Sequence, residues 1–378
     1  MAFRKRNVVV GKPPVASPSS ESPAPLGVRP SPLTSHSTTS TGTPSFDSLL
    51  GGHGGLALGY SLLVSESGTT DFSGTLLRYF AAEGICQEHH VHIVGAGEGW
   101  VKELPGVAEE RSRDKAAGKS ASDEEKMKIA WRYERLGQAG ERALPDRIAA
   151  PAADGVPVPS PFCHTFDLTK RLAVPTGAKV NHIPISLTST FENILQSLAK
   201  SLAATPPTSI HRLVVPSLLS PALYPPNASQ PDQVLGFFRS LRALLRQHHN
   251  RLVAMITLPL ELYPRHSGLV RWMEILSDGV IELTPFPHLM DSSSALAESG
   301  GARGNDEQPQ GMVKVHKLPI NTERGEGGAG AGNSLGEDLA FTVSRRKFVI
   351  KPFSLPPLEG DQDAQKEGGK LTSKDVEF

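Results

Sequence analysis

Apolar positions along the chain fall into two patterns: short unbroken runs, and stretches in which they return every three or four residues. A run at 59–65 (GYSLLVS) predicts a buried strand, and 72–83 predicts a helix with Leu76, Leu77 and Phe80 on its inner side. HVHIVG at 90–95 predicts the next strand. Residues 189–203 place Phe191, Ile194, Leu195, Leu198 and Leu202 on one stripe of a helix. HRLVV at 211–215 predicts a strand that Pro216 ends, because proline has no N–H for a ladder. A helix over 231–248 opens on Pro231-Asp232 and carries Val234, Leu235, Phe238, Leu241 and Leu245 inward. RLVAMITL at 251–258 and GVIELT at 279–284 predict strands on either side of a helix at 267–277. Two last strands, 312–318 and 340–350, have no helix between them and predict a C-terminal antiparallel hairpin at one edge. The alternation predicts an α/β fold, with a mostly parallel central sheet flanked by helices.

Composition sets the limits of that domain. The 36 Gly and 32 Pro of the 378 residues cluster outside the periodic segments. Residues 1–41, rich in Pro, Ser and Thr, are expected to be a disordered tail, because such a segment buries too little apolar surface to offset its ordering entropy. The same argument predicts inserts near 103–124, 138–160, 291–310 and 323–337, and a polar tail at 358–378. One domain over 42–357 remains. Basic and acidic residues balance at 39 each, so no global field favours nucleic acid and any such contact needs a local patch. Cys86 and Cys163 fit no metal-ligand spacing and suggest thiols in a reducing compartment. No run approaches the roughly 20 apolar residues of a membrane span, and the N-terminus lacks a signal-peptide core. The expectation is a soluble protein of the cytoplasm and nucleus.

Residues 62–74 bring in candidate chemistry. LLVSESGTTDFSG has the strand–turn–helix layout of a P-loop, whose formula is G-x-x-x-x-G-K-[ST]. Aligned with that formula, Glu66 and Asp71 stand at the glycines, Phe72 at the lysine, and only Ser73 fits. A working loop aims backbone N–H groups, a lysine and a Mg²⁺-bound hydroxyl at the phosphates. Phe72 removes an attraction of about 4 kcal/mol at an effective dielectric near 20, and carboxylates turned inward would repel the phosphates. The strand that should end in a Mg²⁺-holding Asp corresponds to RLVVPSLLS, where Pro216 takes the acid's place. The reading is a nucleotide frame without nucleotide chemistry: no catalytic residue, no cofactor and no metal. The plainer reading of the same stretch is a strand–helix turn with ordinary capping.

Longer strings then converge. TGTPSFDSLL (41–50) precedes GGHGGLALGYSLLV, and KMKIAWRYERL (126–136), FCHTFDLTKRL (162–172), RLVVPSLLSP (212–221) and RRKFVIKPFSLPP (345–357) follow. Their combination resembles the PAXNEB family, the fourth subunit of the Elongator complex, across most of the ordered segments. The resemblance implies a RecA-like domain. It implies assembly with Elongator subunits 5 and 6 into a hexameric ring, two copies of each, attached to the catalytic Elongator subcomplex. It further implies tRNA binding in support of wobble-uridine (U34) modification, with the radical chemistry on another subunit.

Two sets of residues are candidates for contacts. Lys314 and Lys317 in MVKVHKLP, with Arg345, Arg346, Lys347 and Lys351 in SRRKFVIKPF, form the best basic patch for RNA. On one continuous strand Arg345, Lys347 and Lys351 share a face, with Arg346 opposite. A charged edge strand that resists aggregation explains the same residues. Lys128, Trp131, Arg132 and Tyr133 are subunit-interface candidates, with packing on the chain's own core and RNA stacking left open. His90 and His92 share a strand face, with no Cys or acid to complete a metal set. Two other functions stay open: a nucleotide hydrolase with a divergent P-loop, and a transcription-associated scaffold without RNA binding.

Overall fold

The computed structural model describes residues 25–50, 54–108, 160–188, 190–286, 309–319 and 338–353. The first half contains β1 (Val28–Pro30), β2 (Ser37–Thr39), α1 (Pro44–Leu49), β3 (Leu56–Ala57), β4 (Ser61–Glu66), α2 (Phe72–Cys86), β5 (His90–Val94), α3 (Glu98–Lys102), β6 (Pro105–Val107), β7 (Phe166–Arg171) and β8 (Val180–Ile183). The second half contains α4 (Thr190–Ala204), β9 (His211–Val215), α5 (Pro231–Gln247), β10 (Leu252–Pro259), α6 (Gly268–Leu276), β11 (Gly279–Pro285), β12 (Gly311–Lys317), β13 (Leu339–Val343) and β14 (Phe348–Pro352).

Among the described residues the central sheet has nine strands in the order β14-β13-β12-β11-β4-β10-β9-β5-β8. Strands from β11 to β8 run parallel, and β12, β13 and β14 add an antiparallel edge. The first core strand, β4, lies at the centre between β10 and β11. This is an α/β fold with a mostly parallel central sheet, as the alternation of strand and helix predicts.

The parallel strands read as unbroken apolar runs because both faces are covered. Leu62 and Val64 of β4, Val253 and Met255 of β10, and Ile281 of β11 pack on the α2 side. Leu63, Leu213, Val215, Ala254 and Ile256 pack on the opposite side with α4, α5 and α6. Full burial of each Leu, Ile or Val stabilises by about 1.5–3 kcal/mol, so a one-residue slip of register is strongly disfavoured. Pro231 starts α5, where its missing N–H costs nothing, and Ser267 caps α6 by accepting from Val270 N–H. No helix among the described residues is long and apolar enough to cross a membrane.

Three expectations need correction. Residues 25–41 are not a disordered tail: β1 and β2 join β3 in a small antiparallel sheet. Its order comes from distant partners. Arg212 donates to Thr39 Oγ1 at 2.7 Å, and His89 bonds the Leu26 carbonyl at 2.8 Å. Composition cannot register bonds to a buried cation elsewhere in the chain. Within the expected insert 103–124, Pro105–Val107 pairs with β7. The stretch 340–350 is two strands, β13 and β14, joined by a turn at 344–347, so the edge is a three-stranded meander. Apart from residues 103, 104, 108, 160, 309 and 310, the remaining parts of the expected inserts, and the tail at 358–378, lie outside the described residues.

Candidate functional site

Glu66 ends β4 in register with Pro259 of β10 and Leu283 of β11, at the carboxyl ends of the parallel strands. Open α/β sheets bind ligands at that end. The turn that follows leads into α2, whose first N–H groups have no partner within the helix. The chain itself supplies partners. Phe72 and Ser73 N–H groups donate to the two Glu66 carboxylate oxygens at 3.1 and 2.7 Å, and the Thr70 hydroxyl donates at 2.6 Å. Gly68 N–H donates to Glu261 at 2.8 Å, and Ser67 N–H to the Leu283 carbonyl at 3.0 Å. Glu66 is only 3% exposed. A carboxylate of the protein therefore fills the position where the positive end of α2 would hold an anion. Asp71 turns outward to Arg78 at 3.1 Å, and its carboxylate lies over Gly74. Of the two acids in the turn, only Glu66 points inward.

Phe72 lays its ring on Phe341 of β13 with centroids 4.9 Å apart, and Phe341 stacks on Phe348 of β14 at 5.5 Å. Position 72 thus ties α2 to the antiparallel edge, while Ser73 is buried beneath the turn. Pro216 follows β9, with β10 between it and β4. The chain leaves β9 through Ser217 and Leu219, both at left-handed φ (43° and 64°). Thr257 of β10 holds that turn: its Oγ1 accepts from Ser217 N–H at 2.7 Å and its carbonyl from Leu218 N–H at 2.8 Å.

Behind the loop lies a buried polar network that the periodicity of the sequence does not reveal. The Arg212 guanidinium, fully buried, donates to the Ser40 and Phe80 carbonyls at 2.9 and 3.0 Å and to His89 Nδ1 at 3.0 Å. It also lies 4.6 Å from the Phe80 ring centroid. Burial lowers Arg212 to about 10, partly offset by Glu83 and Asp47, so it stays charged at neutral pH. Asp47 accepts from Ser40 and Thr41, yet burial raises it to about 6. The two histidines that share a face of β5 both meet His211 of β9. His92 bonds His211 at 2.9 Å, His90 stacks on it at 4.6 Å, and His211 bonds Thr205 at 2.9 Å. Burial pushes His92 down to about 4 and His211 to about 2, so these rings are neutral hydrogen-bonding groups. Among the described residues, no group of three His, Cys, Asp or Glu side chains is placed to hold a metal.

The basic candidates separate. Arg345, Arg346 and Lys347 are exposed on the β13–β14 turn, so the alternating-face argument does not apply to them. The turn docks on β7 through the Arg346 carbonyl, which accepts from Leu168 N–H at 2.8 Å. Between turn and strand is a cleft of about 430 Å³ lined by Thr165, Asp167, Thr169, Lys170, Arg346 and Lys347. Lys170 joins this group only through the fold. Lys351 is exposed further along the edge strand β14. Lys314 on β12 faces Glu282 of β11, and Lys317 donates to the Ile275 and Ser277 carbonyls at the end of α6. Lys317 thus has a local structural role, and Lys314 is exposed. Lys128, Trp131, Arg132 and Tyr133 lie outside the described residues.

The model of the PAXNEB protein family matches residues 20–378. The chain belongs to the PAXNEB family. Relatives named Elongator complex protein 4 resemble this PAXNEB chain over most of their length. The Schizosaccharomyces pombe protein is 33% identical, with 89% of this chain and 90% of that protein covered. The Saccharomyces cerevisiae protein is 30% identical (90% and 78% covered), and the Homo sapiens protein 27% (88% and 80% covered). Among solved structures, a KaiC-like protein from Pyrococcus horikoshii aligns at 16% identity and a TM-score of 0.39, covering 83% of this chain and 99% of that one.

Proposed function

We propose that this chain is a non-catalytic RecA-like subunit of an Elongator complex. In this reading it assembles with subunits 5 and 6 into a hexameric ring that binds tRNA and supports U34 modification, in the cytoplasm and nucleus. The names of its PAXNEB relatives support the complex. One observation carries the non-catalytic part: Glu66 takes the α2 N–H groups that a phosphate would need. A triphosphate entering the turn would have to expel a buried carboxylate and would meet Glu261 on Gly68. No lysine stands at position 72 and no acid at 216 to offset that repulsion. The frame then serves packing, through Phe72 on Phe341, and not phosphate chemistry. The exposed cations at 345–347, with Lys170 beside them, support a phosphate-backbone contact for tRNA.

Titration of the isolated chain with a fluorescent ATP analogue is expected to show no saturable binding at millimolar nucleotide. Micromolar binding would favour a hydrolase with a divergent loop. Native mass spectrometry of the chain mixed with subunits 5 and 6 is expected to show two copies of each, and a chain that stays monomeric refutes the ring.

A further inference from the structure

The outer face of α6 carries an apolar stripe. The helix buries Val270 and Met273 against the sheet, while Trp272 is 54% exposed and Ile275 48%. Positions three apart on a helix are neighbours, so the two side chains form one patch. Beside it is a cavity of about 390 Å³ with Ile275 and Val280 as its apolar part. The charged lining is unbalanced: Arg265, Arg271 and Lys317 against Glu274 alone. That carboxylate is taken by Arg265 at 2.6 Å, and the nearby Glu282 is held by His316 at 2.7 Å. Arg271 forms no ion pair among the described residues and is exposed beside Trp272. Tryptophan and arginine together are the residues that most often anchor interfaces. Arg265 also lies 4.0 Å from Glu282, and Lys317 donates to backbone carbonyls, so Arg271 is the rim cation left for a carboxylate of a partner surface.

We propose that this face of α6 is a subunit-docking surface, and that its occupant is a segment of a ring-partner subunit presenting a large apolar side chain flanked by carboxylates. The apolar side chain covers Trp272 and enters the cavity beside Ile275. A partner carboxylate pairs with Arg271 in a site dried by that contact. The inference rests on the ring assembly proposed above and names the surface through which it forms.

The test measures assembly of the full chain with co-purified subunits 5 and 6, by fluorescence titration and native mass spectrometry. Wild-type chain that does not bind either subunit overturns the ring and this surface together. If wild-type assembles, Trp272→Ser with Ile275→Ser is expected to weaken assembly at least 100-fold at an unchanged urea midpoint. Assembly within threefold of wild type overturns the surface and leaves the ring standing. Arg271→Glu, at an exposed position without an ion pair among the described residues, decides the case if the double variant folds poorly. It is expected to weaken assembly at least tenfold in 50 mM salt, with a smaller ratio in 500 mM salt because screening removes the repulsion. No salt-dependent loss overturns the charge assignment. Self-association of the wild-type chain alone, abolished by Trp272→Ser, would assign the face to a second copy and likewise overturn the proposal.

Discussion

Replacing Glu66 by Ala tests whether the carboxylate is the structural occupant of the α2 N-terminus. The substitution removes acceptors for Thr70 Oγ1, Phe72 N–H and Ser73 N–H at 2.6, 3.1 and 2.7 Å. A hydrogen bond to a charged group contributes about 1.5–3 kcal/mol net, and loss of an N-cap acceptor costs about 0.5–2. Thr70 and Asp71 are exposed, so water can reach part of the vacated space and repay some of the loss. The expected cost is about 2–3 kcal/mol. With a urea slope of about 2–3 kcal/mol/M for a domain of this size, the midpoint should fall by roughly 1 M at unchanged slope. Asp71→Ala is the control. Its carboxylate makes no cap bond to the helix and pairs with Arg78 at the surface, so it should cost about 0.5 kcal/mol or less. Equal, small losses for the two variants would falsify the assignment of Glu66 as the internal anion. Glu66→Ala should still bind no ATP analogue, because vacating the site supplies neither a lysine nor a metal acid.

Further outcomes follow from the rest of the molecule. Arg212→Leu strips four buried acceptors and leaves Asp47 and Glu83 without their cation. A cost of about 3–5 kcal/mol is expected, seen by calorimetry as a fall of about 6–15 °C, with early proteolytic cleavage in 25–57; a shift under 2 °C would contradict the anchoring role. Stability should decline on acidification. His89, His92 and His211 are depressed to about 3, 4 and 2, so between pH 6.5 and 4.5 the unfolded chain binds protons that the folded chain does not. Asp47, raised to about 6, works in the opposite direction in the same window, because its proton is bound in the folded state and lost as pH rises. The net of about two protons gives a loss of roughly 2–3 kcal/mol per pH unit by urea unfolding, and a flat profile would contradict the buried neutral histidines. Replacing Arg345, Arg346 and Lys347 with Ala should weaken tRNA binding in a gel shift and lower its salt slope by about one per lost phosphate contact, at unchanged stability. An unchanged slope removes this turn from the RNA surface.

The order of β4, α2, β5, α4, β9, α5, β10, α6 and β11 was legible in the sequence, because both faces of a parallel sheet demand unbroken apolar runs and amphipathic helices must repeat every three or four residues; the edge strand β8 and the short outer strands carry no such run and were not. The runs around Leu63, Val214 and Met255 lie in the strands that this rule predicts. Aligned with the P-loop formula, the sequence puts Phe72 at the lysine position and Pro216 at the acid position. What those positions do instead was decided by tertiary structure. Glu66 became the ligand of its own helix because the turn brings its carboxylate back onto N–H groups six and seven residues later. Phe72 found Phe341 across 269 residues of chain. Arg212 inside an apolar strand, the meeting of His90 and His92 with His211, and Lys170 beside Arg346 have no periodic signature. Periodicity reports only which side of an element meets the core. Hydrogen bonds and charge pairs depend on which elements become neighbours, and that is fixed only when the sheet order closes.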